Sequence, residues 1–339
     1  MTQDTREAAL QKDPRVKDRP VSPQVAQLEN AFIGSGYGYM GLSGVRNARD
    51  LGGMPTQDGH VVRHGVLLRT GQLGKATATD AARLRGMGLS VVVDFRTQSE
   101  RARSPEPMHL LPEASMEFVP VIRQSTAGIT QDKSLRSLIA EAKSYDLGGE
   151  DKISGLYATI VTSELGRQGY RRFFEILLEQ ATNPKTFVPL FIQEPAGALA
   201  QGASTQAQAA QVPQEPQKRP GCVLWHCSAG KDRTGIAAAF LELVLGVSPA
   251  LVLEDYLASN RYIQPGWSKV LMALGRNGML PSAPYNLLHL LYTVEEQSIV
   301  AAFDAIEQEW GSFYAYCEQE LDLDAEKIAQ LRAAYLVRP

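Results

Sequence analysis

Between residues 222 and 245 the chain passes from one kind of apolar run to another, and few folds can house that junction. Cys-Val-Leu-Trp-His at 222–226 is short, apolar and strand-like, whereas Ile-Ala-Ala-Ala-Phe-Leu-Glu-Leu-Val-Leu at 236–245 is rich in strong helix formers. Between them stand Cys227, Ser228, Ala229, Gly230, Lys231, Asp232, Arg233, Thr234 and Gly235. A strand that turns into a helix through so short a loop aims several backbone N–H groups at one point, reinforced by the positive end of the helix dipole. That arrangement suits an anion the size of phosphate.

The residue types in the loop fit the same chemistry. Cys227 sits at its entrance, where converging N–H groups, Lys231 and Arg233 favour the thiolate. Arg233 offers a planar fork for two oxygens at once, and Thr234 can donate its hydroxyl to the sulfur. Ser228, Ala229 and Gly230 supply backbone to the cradle. A lone cysteine here would read as ordinary buried packing. A nucleophile, a glycine, two cations and a threonine at these offsets point instead to a site. A nucleotide-binding phosphate loop is excluded by spacing, because Asp232 rather than Ser or Thr follows Gly230-Lys231 and no glycine stands five residues before Gly230.

The pattern His226-Cys227, five residues, Arg233-Thr234 resembles the signature of the cysteine-based protein phosphatases. Its fuller form, HCSAGKDRTG, is similar to that of the bacterial and fungal tyrosine phosphatases that also act on phosphoserine, phosphothreonine or phosphoinositides. The resemblance implies a tyrosine-phosphatase-like α/β fold, a phosphocysteine intermediate, no metal and no other cofactor. It extends to Arg49-Asp50-Leu51-Gly52-Gly53, to a hairpin around Asp58-Gly59, and to a strand near 66–70 that ends in Arg69-Thr70. Arg69 is thereby expected at the phosphate mouth, while Arg49 and Asp50 read equally well as an ion pair flanking a turn. Asp94-Phe95-Arg96 matches the family's Asp-Leu-Arg with Phe95 in place of Leu, and Glu100 keeps a later acidic position. Residues 255–260 and 311–316 resemble further family segments.

Alternating strand and helix patterns predict an α/β protein with a central, mostly parallel sheet flanked by helices, in which strand carboxyl ends gather the ligand. Strands are expected at 66–70, 89–96, 117–121 and 222–226, and helices at 24–32, 77–87, around 135–142, from 153 with an interruption near Gly166, at 250–263, 293–320 and 324–335. The Gly-rich segment 34–41 reads as a flexible connection. Residues 1–24 read as a disordered arm and 25–339 as one phosphatase domain. Within it, the Gln/Ala/Pro-rich tract 193–220 reads as a disordered insertion and 250–292 as a region carrying a helical lid, which the resemblance implies would shield the cysteine.

Composition bounds the partners. With 339 residues, 44% hydrophobic and 21% charged, the chain can bury a large core. A net charge of −3 gives no case for nucleic acid. Three cysteines fit a reducing, cytoplasmic setting, although export without a cleavable signal stays open, and neither a signal peptide nor an integral membrane span is legible. Oligomeric state is not.

The reaction expected is metal-independent hydrolysis of a phosphomonoester on a phosphorylated protein or a phosphoinositide. Two carboxylates compete for the proton donor. Asp232 is preferred as acid/base, with Asp94 orienting Arg233 or assisting. Lys231 fits either a second substrate phosphate or simple thiolate stabilisation. The rival classes are a phosphate-binding module without turnover and a sulfurtransferase-like or arsenate-reducing loop.

Overall fold

A computed structural model describes residues 22–123, 149–183, 185–187, 217–276 and 292–339. The strands in chain order are β1 (Arg49–Asp50), β2 (Val61–Val62), β3 (Leu67–Thr70), β4 (Leu89–Asp94), β5 (Ser115–Phe118), β6 (Lys185–Phe187), β7 (Gln217–Arg219), β8 (Cys222–His226) and β9 (Leu336–Val337). Five of them form the central sheet in the order β1-β3-β8-β4-β5, and only β1, antiparallel to β3, departs from parallel pairing. β8 lies in the middle with β3 and β4 on its flanks, which is why its apolar run is continuous rather than alternating.

The helices are α1 (Pro23–Gly34), α2 (Ala78–Gly86), α3 (Gln98–Arg103), α4 (Gly149–Thr162), α5 (Glu164–Thr182), α6 (Asp232–Leu245), α7 (Pro249–Arg276), α8 (Glu296–Trp310), α9 (Phe313–Glu320) and α10 (Ala325–Tyr335). Side chains alternate across the sheet and so divide two cores. Leu67, Val91, Val93, Val223 and Trp225 face the larger core, built with α4 to α10. Leu68, Leu89, Val92, Cys222 and Leu224 face a smaller one covered by Ala81 and Leu84 of α2. Every residue of α6 is buried. A helix apolar all round belongs at the centre of a core, and α6 carries the loop that precedes it into that interior. The pairs Val61↔Val337 and Val62↔Leu336 tie the N-terminal hairpin to the end of the chain.

Several boundaries differ from the sequence expectations for physical reasons. The long pattern after 153 breaks at Ser163, which caps α5 by accepting from Gly166 N–H at 3.2 Å. Gly166 is required one step later, since a Cβ there would lie 1.6 Å from the Ile160 carbonyl oxygen. The expected helix 293–320 is two helices, broken at Gly311 with φ +79° and restarted by the Ser312 cap. The expected end at Ile263 is overrun: α7 continues through Pro265 to Arg276, and the rest of the anticipated lid, 277–291, lies outside the described residues. So do the arm through residue 21, the expected helix at 135–142 and the insertion through residue 216, although Gln217–Arg219 pairs with Lys185–Phe187. The Gly-rich segment expected to be a flexible connection is a packed turn. Gly38, at φ +71°, approaches so closely that a Cβ would fall 1.8 Å from the Asp50 carbonyl oxygen.

Candidate active site

The parallel register sets β3, β8 and β4 level at their carboxyl ends, with Thr70 and Asp94 both opposite His226. Cys227 therefore emerges between two neighbouring strand ends, and residues 227–233 follow as a buried loop entering α6. The loop is held from outside by its carbonyls. Ser228 O accepts from Gln72 N–H at 3.2 Å, and Gly230 O accepts from Asn47 Nδ2 at 2.7 Å and from Arg69 Nη2 at 3.4 Å. Gly230 makes the turn at φ +73°, and a Cβ there would meet the Thr70 carbonyl at 2.5 Å. Among the described residues, no backbone carbonyl accepts from the N–H groups of residues 228–232. Buried amides at a helix N-terminus with no backbone acceptor among the described residues form an anion cradle.

Arg233, fully buried, is clamped by Glu100. Nη1 lies 2.7 Å from Oε2 and Nη2 lies 2.9 Å from Oε1, while Nη1 also donates to Phe95 O at 3.3 Å. Glu100 in turn accepts from Ser228 Oγ at 2.5 Å and from Thr97 N–H at 2.9 Å, the latter closing a capping box at the start of α3. Burial alone would raise this carboxyl, but the Arg233 charge and these hydrogen bonds hold it down to about 2. Glu100 thus ties Arg233 to the loop.

The other expected residues are distributed unevenly. The carboxylate bonded to Arg233 on both oxygens is Glu100. Asp94 instead accepts from Arg96 Nε and Nη2, both at 2.9 Å. Burial opposes its ionisation, yet the neighbouring His226 and Arg96 hold its carboxyl below the usual range. Asp94, Glu106 and His226 offer ligand atoms within 4.8 Å of one another. Arg96 Nη2 already lies 2.9 Å from Asp94 and 2.7 Å from Glu106, so the cationic position among them is filled by the protein. Arg69 is fully buried and bonded to Asp255 and to Gly230 O. Lys231 turns its ammonium to the Thr293 carbonyl at 3.0 Å and to Asp232 Oδ1 at 3.1 Å. Thr234 Oγ1 is buried and makes no hydrogen bond among the described residues.

Behind the loop lies a charged brace that the sequence motifs do not announce. Arg49 pairs with Asp255 at 2.7 Å rather than with Asp50, and it also donates to Ser259 at 3.0 Å. Asp255 holds Arg69 as well, and all three side chains are fully buried. Burial, then the Asp255 charge, pushes Glu242 well above its ordinary range, which favours its neutral form. The capping-box pattern from Thr97 to Glu100 was a local signal for Glu100 as a helix cap; no local signal joins Asn47 or Asp255 to the loop.

A parallel α/β sheet that delivers a cysteine and a clamped arginine into one buried anion loop defines a phosphatase class. The chain belongs to the tyrosine phosphatase family, whose model matches residues 40–192 and 195–337. It is 29% identical over 293 residues to a Cupriavidus necator protein provisionally named a tyrosine-protein phosphatase, covering 86% of each chain. It is also 25% identical over 199 residues to a Nostoc commune tyrosine-protein phosphatase, covering 59% of this chain and 50% of that one. A structure of P. aeruginosa TpbA in complex with pTyr aligns over 58% of this chain and 71% of its own, at 14% identity and a TM-score of 0.23. The protein is a phosphatase. Among the described residues, no helix is long and apolar enough to cross a membrane.

Proposed function

We propose that the chain hydrolyses phosphotyrosine through Cys227. The sulfur attacks phosphorus in line, forming the S–P bond as the P–O bond to the leaving group breaks. Asp232 gives its proton to the departing oxygen. Arg233 and the loop amides take up the charge on the equatorial oxygens. Water then attacks the phosphocysteine, the S–P bond breaks, Asp232 takes the proton from water and phosphate leaves. The observation that carries this reading is the buried loop whose amides meet no backbone carbonyl among the described residues, flanked by Cys227 and the clamped Arg233.

A phosphoinositide substrate is a second reading, motivated by Lys231. Here a second phosphate would have to displace that ammonium from both Thr293 and Asp232, which ranks it below phosphotyrosine. Phosphate release measured over phosphotyrosine, phosphoserine and phosphothreonine peptides and phosphoinositides separates these substrates and a silent binding module. Replacing Cys227 by Ser should lower turnover by roughly a thousandfold or more while phosphate-analogue binding persists. Normal turnover in C227S would refute the mechanism.

A further inference from the structure

Asp232 is held from one side only. Tyr157, on α4, donates its hydroxyl to Asp232 Oδ1 at 2.5 Å. Tyr256, on α7, donates in turn to the Tyr157 hydroxyl at 2.8 Å, and the two rings meet edge to face with centroids 6.4 Å apart. Lys231 Nζ approaches the same Oδ1 at 3.1 Å. Oδ2 is also buried, and among the described residues it has no hydrogen-bond partner. Tyr157 of α4 and Lys231 of the loop thus meet at one oxygen of a carboxyl whose other oxygen has no partner among the described residues. Tyr157 is 75 residues away along the chain, so no motif around the loop announces this contact.

A carboxyl group that accepts donors on one oxygen carries its proton on the other. We infer that Tyr157, backed by Tyr256, is a positioning residue that fixes Asp232 through Oδ1 and commits the transferable proton to Oδ2. This rests on the reading of Asp232 as the acid in phosphotyrosine hydrolysis. Both tyrosines are buried, and burial pushes their hydroxyls well above their ordinary range. They therefore stay protonated hydrogen-bond donors at neutral pH. Tyr170 completes the surroundings, with its hydroxyl 3.3 Å from the Arg233 carbonyl oxygen. The chain from Tyr256 through Tyr157 holds the carboxyl in place and transfers no proton itself.

The test is the dependence of kcat/KM on leaving-group basicity, because that ratio reports the steps through phosphocysteine formation. Aryl phosphates from p-nitrophenyl to unsubstituted phenyl are compared for wild type, Y157F, Y256F and D232N, with vanadate binding as control. Loss of Asp232 as acid should leave the best leaving group nearly untouched and steepen the decline toward the poorest. Y157F should show the same signature at about tenfold for phenyl phosphate, and Y256F at about threefold, with vanadate affinity within about twofold of wild type. If D232N steepens the series and Y157F runs parallel to wild type, the inference fails while Asp232 keeps its role. A D232N series parallel to wild type removes both. An equal loss across all substrates in Y157F would mean a merely structural role and overturns the inference. Should Y157F fail to fold, Y256F, which removes a hydroxyl one step further from Asp232, decides by the same criteria.

Discussion

Replacing Glu100 with Gln removes the charge that clamps Arg233 while keeping the shape of the side chain. Its carboxyl is held at about 2 against 4.5 for an ordinary glutamate. Each tenfold change in proton affinity between the folded and unfolded chain is worth about 1.4 kcal/mol, so Glu100 contributes about 3 kcal/mol at neutral pH. A depressed carboxylate stabilises above its unfolded value and loses that contribution as pH falls toward its folded one. The contribution should therefore shrink from about 3 kcal/mol at pH 7 to about 1.4 kcal/mol at pH 3, and vanish below about 2. Urea unfolding of wild type and E100Q over this range measures it. E100Q should be less stable by about 3 kcal/mol at pH 7, with the gap closing below about pH 4.5. It should also lower kcat by about a hundredfold, because Arg233 loses the carboxylate charge and one of the two bonds that aim it, at 2.7 and 2.9 Å. Equal stability at pH 7, or a gap that stays constant down to pH 3, would refute the assignment of the clamp.

Two further substitutions test the scaffold behind the loop. Gly230→Ala forces a Cβ to 2.5 Å from the Thr70 carbonyl at a φ of +73°, so phosphate-analogue binding should fall at least about tenfold while far-UV circular dichroism stays near wild type; unchanged binding would show that the loop can relax. Asp255→Asn leaves Arg49 and Arg69 buried without their shared carboxylate, and denaturation should show a loss of about 3 kcal/mol. Glu242, relieved of its charged neighbour, should ionise and cushion that loss, so D255N/E242Q should be less stable than the two single variants predict. Additive behaviour would refute the neutral state given to Glu242.

The sequence determined the local parts because their signals are local. The apolar run 222–226 became β8 at the boundaries expected, since a strand buried on both faces needs no alternation to be recognised. The strand-to-helix junction, the glycine turn and the order Cys227, Lys231, Asp232, Arg233 were legible for the same reason, and with them the mostly parallel α/β class. Tertiary structure decided which side chains meet. Arg69 and Asp94 stand at the carboxyl ends of strands adjacent to β8, as the parallel sheet required, yet strand register fixes only where a backbone ends. The partner of a long buried side chain is chosen by whichever opposite charge lies closest once the helices have packed. For Arg69 that was Asp255, 186 residues away, and for Arg233 it was Glu100, 133 residues away. The hydroxyl chain from Tyr256 through Tyr157 to Asp232 is of the same kind. It exists only because α4, α6 and α7 share one core, and a buried polar group there must find its partner wherever the fold supplies one.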